Sequence, residues 1–540
     1  MGKRKNNAAV DKKAKEPGSA VLQPQADNTI DRMLLIILLI ILALVPIQNH
    51  LTAINHAGPI ISASILDSGQ KYEFASYYKF VMLLIGVILL LAAYVYKLFK
   101  KNYTIPLDPV TVSTGAMFAL VLLSGVMAHN ITLALVGHWD RHEGTLAELS
   151  YLLVFFIAAG IVYPIKKTRW LMYIIYGLTA LNAVLIQLYF YGYNILRSHL
   201  VLTLFLPTGF SPNGLSAGSY INSTFGNPDF ASGFGGMMTV MFLTRAVLAK
   251  PVRQKIIDFV FTVIAFSIVP ASLATSGFFT IVVMLPVVIV LLFLGSERKS
   301  GALTGAAALL AFALILLVQA QHNPSVWNKS VGFFTRTAQS AVSTPASAQS
   351  QETSAAGTSQ GQKASPAPAQ TGVKDDFNLP PAGWAAGTGR VYIWRRTVEL
   401  IEKRPLLGYG LDNLPYYFPQ DDPLKNSGLD DPNIIVDKPH NIYLDIAFGS
   451  GVLALLAFLV LLLRYAWQNI KLLRHGISGE TGVFLAGSLA GWCGYLIQGM
   501  FNDSTIGVSI VFWILFGVSA SILKQELEKK QKSGLESAAS

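Results

Sequence analysis

Between Gly389 and Gly451 the chain gathers Arg390, Arg395, Arg396, Tyr409, Tyr416, Tyr417 and His440 in one polar stretch that runs directly into an apolar one. These residue types suit work on a phosphate and a sugar at a membrane face. An arginine fork binds phosphate oxygens in pairs and keeps its charge at any working pH. A histidine titrates near neutral pH and can take a proton from a hydroxyl. Aromatic rings such as Trp394, Tyr409, Tyr416 and Tyr417 can stack on sugar faces, although rings are also expected at any membrane interface. Holding a phosphate leaving group, orienting an acceptor hydroxyl and removing its proton would need this set.

The elements that must position these groups follow from the pattern. Val391, Trp394, Val398 and Ile401 recur with a helical period and predict the buried face of an amphipathic helix. Thr388 is placed to cap it, Pro405 to stop it near Arg404, and Gly408 and Gly410 to allow a tight turn after it. Arg390 falls in the first turn, where free backbone N–H groups also favour anions. It has no acidic residue at i+3 or i+4, whereas Arg395 and Glu399 are spaced to pair on the solvent side.

Gly389-Arg390, Trp394, Pro405, Gly408-Tyr409-Gly410 and Pro439-His440-Asn441-Ile442-Tyr443-Leu444, followed by Gly449 and Gly451, resemble the signature region of the O-antigen ligase and O-antigen polymerase superfamily. Its members are bacterial polytopic membrane glycosyltransferases. The resemblance covers only Gly389–Gly451. It implies transfer of a glycan from a polyprenyl diphosphate carrier to a hydroxyl of a glycan, lipid or protein acceptor on the outer face of the plasma membrane. It implies a metal-independent, inverting reaction with polyprenyl diphosphate as product and no cofactor. It casts His440 as the base and Arg390 as the phosphate ligand, with Trp394, Tyr409 and Asn441 against the substrate. Family members often carry Ser-Arg-Gly near the eighth span. Here Ala274-Thr275-Ser276-Gly277-Phe278 has no arginine, so either another residue such as Arg141 supplies the charge or activity is altered or lost.

Arg141 belongs to Gly137-His138-Trp139-Asp140-Arg141-His142-Glu143-Gly144, whose Arg-x-Glu-Gly resembles a pattern of Gram-positive members. It is either a second phosphate or sugar contact or a headgroup anchor paired with Asp140 or Glu143. His138 and His142 have a spacing that suits a metal on a helix, but no third ligand is evident. Asn227-Pro228-Asp229, which also looks like a superfamily motif, reads as an ordinary helix start. The acidic patch Asp421, Asp422, Asp430 and Asp431 lacks EF-hand spacing and reads as a solvated loop. Asp67 and Glu73 do not form the adjacent acidic pair of metal-dependent membrane glycosyltransferases.

Composition sets the class. Hydrophobic residues make up 52% of the 540 and charged residues 13%, against about a quarter charged in soluble proteins. The single cysteine, Cys493, excludes an internal disulfide. The expected fold is all-α and polytopic, with about twelve spans of roughly 20 residues. These fall at Met33–Gln48, Tyr77–Tyr96, Val110–Ala128, Leu146–Tyr163, Trp170–Tyr191, Asp229–Leu248, Ile256–Leu273, Phe278–Leu294, Leu303–Gln319, Asn441–Leu463, Gly482–Met500 and Thr505–Leu523. The first is retained, not cleaved as a signal peptide, because no small-residue cleavage pattern follows it. Residues 1–32 form a basic tail, 33–319 and 441–523 the membrane domain, 320–440 one large external loop with amphipathic helices, and 524–540 a second tail. Within the loop, 338–372 is Ala/Ser/Gln/Thr/Pro-rich and expected to be a disordered insertion, with a folded part over 384–440.

Lysines and arginines fix the orientation. Lys97, Lys100, Lys101, Lys166, Lys167, Arg169, Arg245, Lys250, Arg253, Lys255, Arg298, Lys299, Arg464, Lys471, Arg474 and the basic C-terminal tail all fall on the side of the basic N-terminal tail. The opposite short loops hold Lys71, Arg141 and Arg197, with Lys79 at an edge. The positive-inside rule puts both termini in the cytoplasm and the Gly389–Gly451 stretch outside. The formal net charge of +11 is therefore topology and lipid contact, not a nucleic-acid footprint. Three other readings stay open: a surface-polysaccharide polymerase of the same superfamily, a lipid-linked glycan flippase or transporter, and a non-catalytic assembly subunit. A transporter should show midplane charges and repeated halves.

Overall fold

A computed structural model describes residues 28–56, 60–62, 65–66, 69–100, 103–195, 198, 223–333, 389–425, 429 and 434–539. The basic tail before residue 28, the 338–372 insertion, Asp67, Arg197, Thr388, Asp430 and Asp431 lie outside the described residues. The helices are α1 (Asn28–Leu44), α2 (Tyr77–Lys100), α3 (Pro109–Val126), α4 (Ile131–Val136), α5 (Thr145–Ala159), α6 (Thr168–Phe190), α7 (Pro228–Leu248), α8 (Val252–Ala271), α9 (Thr275–Leu294), α10 (Arg298–His322), α11 (Ser325–Lys329), α12 (Arg390–Lys403), α13 (Leu414–Tyr417), α14 (Ile442–Ser450), α15 (Val452–Leu473), α16 (Gly479–Gln498) and α17 (Ile506–Ala539). Between α1 and α2 the backbone makes two small antiparallel pairs, Thr52–His56 with Gly69–Glu73 and Ile60–Ser62 with Ile65–Leu66.

The protein is an all-α polytopic membrane protein. Among the described residues ten helices are long and apolar enough to cross a bilayer. The expected spans at Leu146–Tyr163 and Gly482–Met500 form α5, which is shorter, and α16, which is less apolar. Both are largely buried among other helices, so protein shields them where lipid would otherwise demand apolar residues. α7 starts as its sequence dictates. The Asn227 side chain accepts from the Asp229 N–H at 2.8 Å, and Pro228 fills the first turn. α7 and α9 cross at backbone contact: a Cβ on Gly277 would fall 2.1 Å from the Ser232 carbonyl oxygen. The Ala274–Phe278 segment is thus occupied by helix packing.

The expected span Asn441–Leu463 is broken. Gly451, at φ +88°, separates α14 from α15. The glycines of the signature explain the break. Tyr409 N–H donates to the Phe448 carbonyl and Gly410 N–H to that of Gly449, both at 2.9 Å, and Val452 N–H donates to the Pro405 carbonyl at 2.7 Å. A Cβ on Gly408 would lie 2.3 Å from the Phe448 oxygen, and one on Gly451 2.1 Å from the Leu406 oxygen. The turn after α12 therefore lies flat on the α14–α15 junction, and side chains at these positions would separate them.

The buried face of α12 is not the expected one. Tyr392, Ile393, Thr397, Leu400 and Ile401 are buried, while Val391 and Val398 are about two-fifths exposed. The apolar surface facing the helix is built from Leu414, Phe418 and Phe448. Tyr392 meets Phe418 edge-on, and the Thr397 hydroxyl is satisfied by the Ile393 carbonyl at 2.8 Å. A tyrosine and an internally bonded threonine thus replace two valines on the inner face. Arg395 pairs with Glu399 at 3.4 Å on the outside, and the helix ends at Arg404.

Candidate active site

The loops before α5, before α7, before α14 and between α16 and α17 meet at one end of the bundle. At their centre is His440, held at φ +49° in the turn before α14. Its Nδ1 lies 2.7 Å from Oδ2 of Asp503, a buried carboxylate in the loop between α16 and α17. With Nδ1–H donated to Asp503, Nε2 is left as the basic nitrogen. Burial disfavours a charged His440 and the nearby Arg390 opposes it too, but Asp503, helped by Asp437, raises the imidazole pKa above its ordinary value. In turn the Asp503 carboxyl, which burial would push up, is held low by His440, Arg141 and Lys438.

Each candidate from the sequence can be placed. Arg390 opens α12 after Gly389, close enough to His440 to disfavour its charge. Its Nε is buried without a hydrogen-bond partner among the described residues. Trp394, one turn later, donates its indole N–H to the Pro439 carbonyl at 2.7 Å and so fixes the turn carrying His440. Asn441 caps α14, its side-chain oxygen accepting from the N–H groups of Tyr443 and Leu444 at 3.0 and 3.1 Å. Its amide donates to the Met500 carbonyl at 3.2 Å. Asn441 thus has a structural occupation where substrate contact was expected. Tyr409 is a correction. It is buried, stacked on Phe448 at 4.9 Å, with its hydroxyl on the Leu400 carbonyl, and offers no face to a sugar. A tyrosine fits either place, so only the packing of the Gly408–Gly410 turn decides.

Arg141 joins the same end. Its Nη1 donates to Asp437 Oδ2 at 2.7 Å and lies 3.6 Å from Asp140. Its Nε and Nη2 are buried without a hydrogen-bond partner among the described residues. Asp412 and Asp503 lie within range of its charge. Asp503 Oδ1 is likewise buried without such a partner. Two arginines and one carboxylate thus present unpaired polar atoms around His440, which is costly unless something polar completes them.

Around this centre is a rigid ionic frame. Lys438 is buried between Asp412 at 2.7 Å and Asp445 at 2.6 Å. Asp412 also accepts the His138 N–H at 2.7 Å, tying the loop before α5 to the turn after α12. Glu143 accepts from the Tyr151 hydroxyl at 2.8 Å and from the Ser504 hydroxyl at 3.0 Å. Burial pushes its carboxyl up to about 8. Four non-glycine residues among those described have positive φ, and His142, Asp412 and His440 all belong here. Such backbone costs about 1–3 kcal/mol per residue and persists where surrounding contacts over-determine it.

His138 and His142 do not converge. His138 Nδ1 pairs with Asp140 at 2.6 Å, while His142 Nδ1 lies 3.0 Å from the Ser76 hydroxyl, and burial lowers its pKa to about 4. Ligand atoms of His138, Asp140 and Asp437 do lie within 4.8 Å of one another, and the Arg141 guanidinium lies against both acids, 2.7 Å from Asp437 and 3.6 Å from Asp140. Sequence reasoning missed Asp503, Asp412, Asp437, Lys438 and Ser504. The one available signal was Asp503 itself, an acid in a short loop between two apolar spans.

Part of the chain is similar in sequence to known proteins. A family model described as O-antigen ligase matches residues 260–459. A Rickettsia conorii protein named "Putative polysaccharide ligase RC0486" is 29% identical over 140 residues, 26% of this chain and 32% of that protein. A Rickettsia felis protein named "Putative polysaccharide ligase" is 28% identical over 142 residues, again 26% of this chain and 32% of its own length. The matches therefore span about a third of these relatives.

Proposed function

We propose, from the premise that this chain belongs to the O-antigen ligase superfamily, that it moves a glycan from a polyprenyl diphosphate to an acceptor hydroxyl at the outer face of a bacterial plasma membrane. The observation that carries the reading is the pairing of His440 with Asp503 beside guanidinium N–H groups of Arg390 and Arg141 that have no hydrogen-bond partner among the described residues. Arg390 and Arg141 bind the diphosphate and neutralise charge as it leaves. His440 Nε2 takes the acceptor proton while the acceptor oxygen attacks the anomeric carbon, and the bond from that carbon to the phosphate oxygen breaks. A single displacement of this kind inverts the anomeric centre and releases polyprenyl diphosphate. Asp503 stabilises the imidazolium and fixes the tautomer. The reaction uses Arg141 and Arg390 where other enzymes place a metal. The acceptor is a glycan, lipid or protein hydroxyl. Basic loops at the opposite end of the bundle support an external site and cytoplasmic termini.

The pH–rate profile tests the pair. His440 must be neutral to act as a base, so activity falls as pH drops through its pKa. Asp503 raises that pKa, so Asp503→Asn should shift the acid limb to lower pH. It should also reduce the maximal rate, at or below the ~10²–10⁴-fold that the base itself supplies. An unshifted acid limb in a folded Asp503→Asn protein would remove His440 from the base role.

A further inference from the structure

We propose that the hydrocarbon tail of the lipid carrier runs over Phe279 and Phe501, between α9 and α12, and that this row of rings is the route from the bilayer to the reacting groups. The inference rests on the reading that the donor is lipid-linked. Phe279 lies one turn into α9, at the head of a stripe continued by Val283, Val287 and Val290, which are exposed on the outside of the bundle. Residues three and four apart share a helix face, so this stripe begins in lipid and ends at Phe279. There the half-buried Phe279 ring meets Phe501 at 5.1 Å, and Phe501 meets Trp394 at 6.2 Å. Trp394 holds the Pro439 carbonyl beside His440, and Arg390 is one turn before Trp394 on the same helix. Met500, nearly half exposed, adjoins Phe501.

The row is thus continuous with the lipid-facing surface at one end and with a phosphate-binding arginine and a base at the other. Its chemistry selects the occupant. A sugar against Phe279 would lie beside exposed valines at the head of a span, where its hydroxyls would lose water without gaining partners. A hydrocarbon chain loses nothing there and buries the rings. An amphiphile with an apolar tail and an anionic head fits both ends at once.

The test is binding by the purified full chain in phosphatidylcholine nanodiscs, with a long-chain polyprenyl diphosphate and farnesyl diphosphate as probes. The unaltered protein should bind the long tail at least about 10-fold more tightly than the short one. Phe279→Ala should collapse that preference to about 2-fold, a loss consistent with removing one ring contact. Phe279→Leu should keep most of it, and Trp170→Ala, in an exposed ring at the opposite end, should change nothing. A benzophenone side chain at position 279 should cross-link the long-chain probe and be competed by unlabelled probe. Equal weakening of both probes by Phe279→Ala, or an intact preference with no cross-link, would overturn the inference. Because the readout is binding, it separates from the functional reading. A chain that keeps the Phe279-dependent preference yet transfers no glycan would retain the tail route and lose the enzyme. One that transfers glycan with no such preference would do the reverse.

Discussion

His440→Ala is expected to cost about 10²–10⁴ in turnover while leaving the lipid-linked donor bound, because it removes the proton acceptor and none of the phosphate contacts. His440 is well placed for this role. Asp503 occupies Nδ1 at 2.7 Å, Trp394 fixes the preceding carbonyl, and the positive φ of His440 is held by the helix cap at Asn441. Alanine keeps the Cβ and so gains nothing at this left-handed backbone, and it leaves the buried Asp503 without its imidazole, so thermal unfolding of the purified protein is measured alongside to establish the folded fraction. The kinetic measurement is single-turnover release of the carrier lipid from preloaded protein. Full turnover in folded His440→Ala would end the base assignment and leave an assembly or transport role.

Arg390→Ala and Arg390→Lys should both lose donor affinity, by about 10–100-fold, the equivalent of one or two charge-assisted hydrogen bonds. Lysine keeps the charge but not the planar fork, so it should rescue little. Arg390 can make this contact because its Nε has no hydrogen-bond partner among the described residues, whereas Arg396 is committed to Glu399 and Asp422 at 2.8 and 2.6 Å. Arg395→Ala is the control. Its exposed pair with Glu399 is worth little, and both binding and turnover should stay near those of the unaltered chain. Equilibrium binding of a polyprenyl diphosphate separates the two predictions, since Arg390 variants should bind weakly and His440→Ala normally.

The spans and the loop were legible because they depend on local properties. A run of apolar residues reports its own environment, and the signature from Gly389 to Gly451 is contiguous. The Pro405 stop, the Asn227 cap and the Arg395–Glu399 pair likewise rest on neighbours a turn apart. What stayed hidden depends on distant partners. Asp503 meets His440 across 63 positions, and Arg141 meets Asp437 across 296. Nothing local distinguishes Asp437 from a solvated acid, and the place of Asp503 between two apolar spans does not name His440 as its partner. The face of α12 was misplaced because helical periodicity ranks valine above tyrosine and threonine. The surface supplied by Phe418 and Phe448 accepts Tyr392 and Thr397 instead. The break at Gly451 was invisible as a hydropathy minimum, since apolar residues continue on both sides.

The most direct test of the proposed chemistry is to identify the lipid product. Purified protein in nanodiscs would receive a polyprenyl diphosphate-linked glycan and a hydroxyl acceptor, and the lipid fraction would be read by mass spectrometry. The account predicts polyprenyl diphosphate, with both phosphates retained on the lipid and the glycan joined to the acceptor with inverted anomeric configuration. Intact donor recovered on the opposite side of a sealed vesicle, or a polyprenyl monophosphate as the direct product, would contradict it.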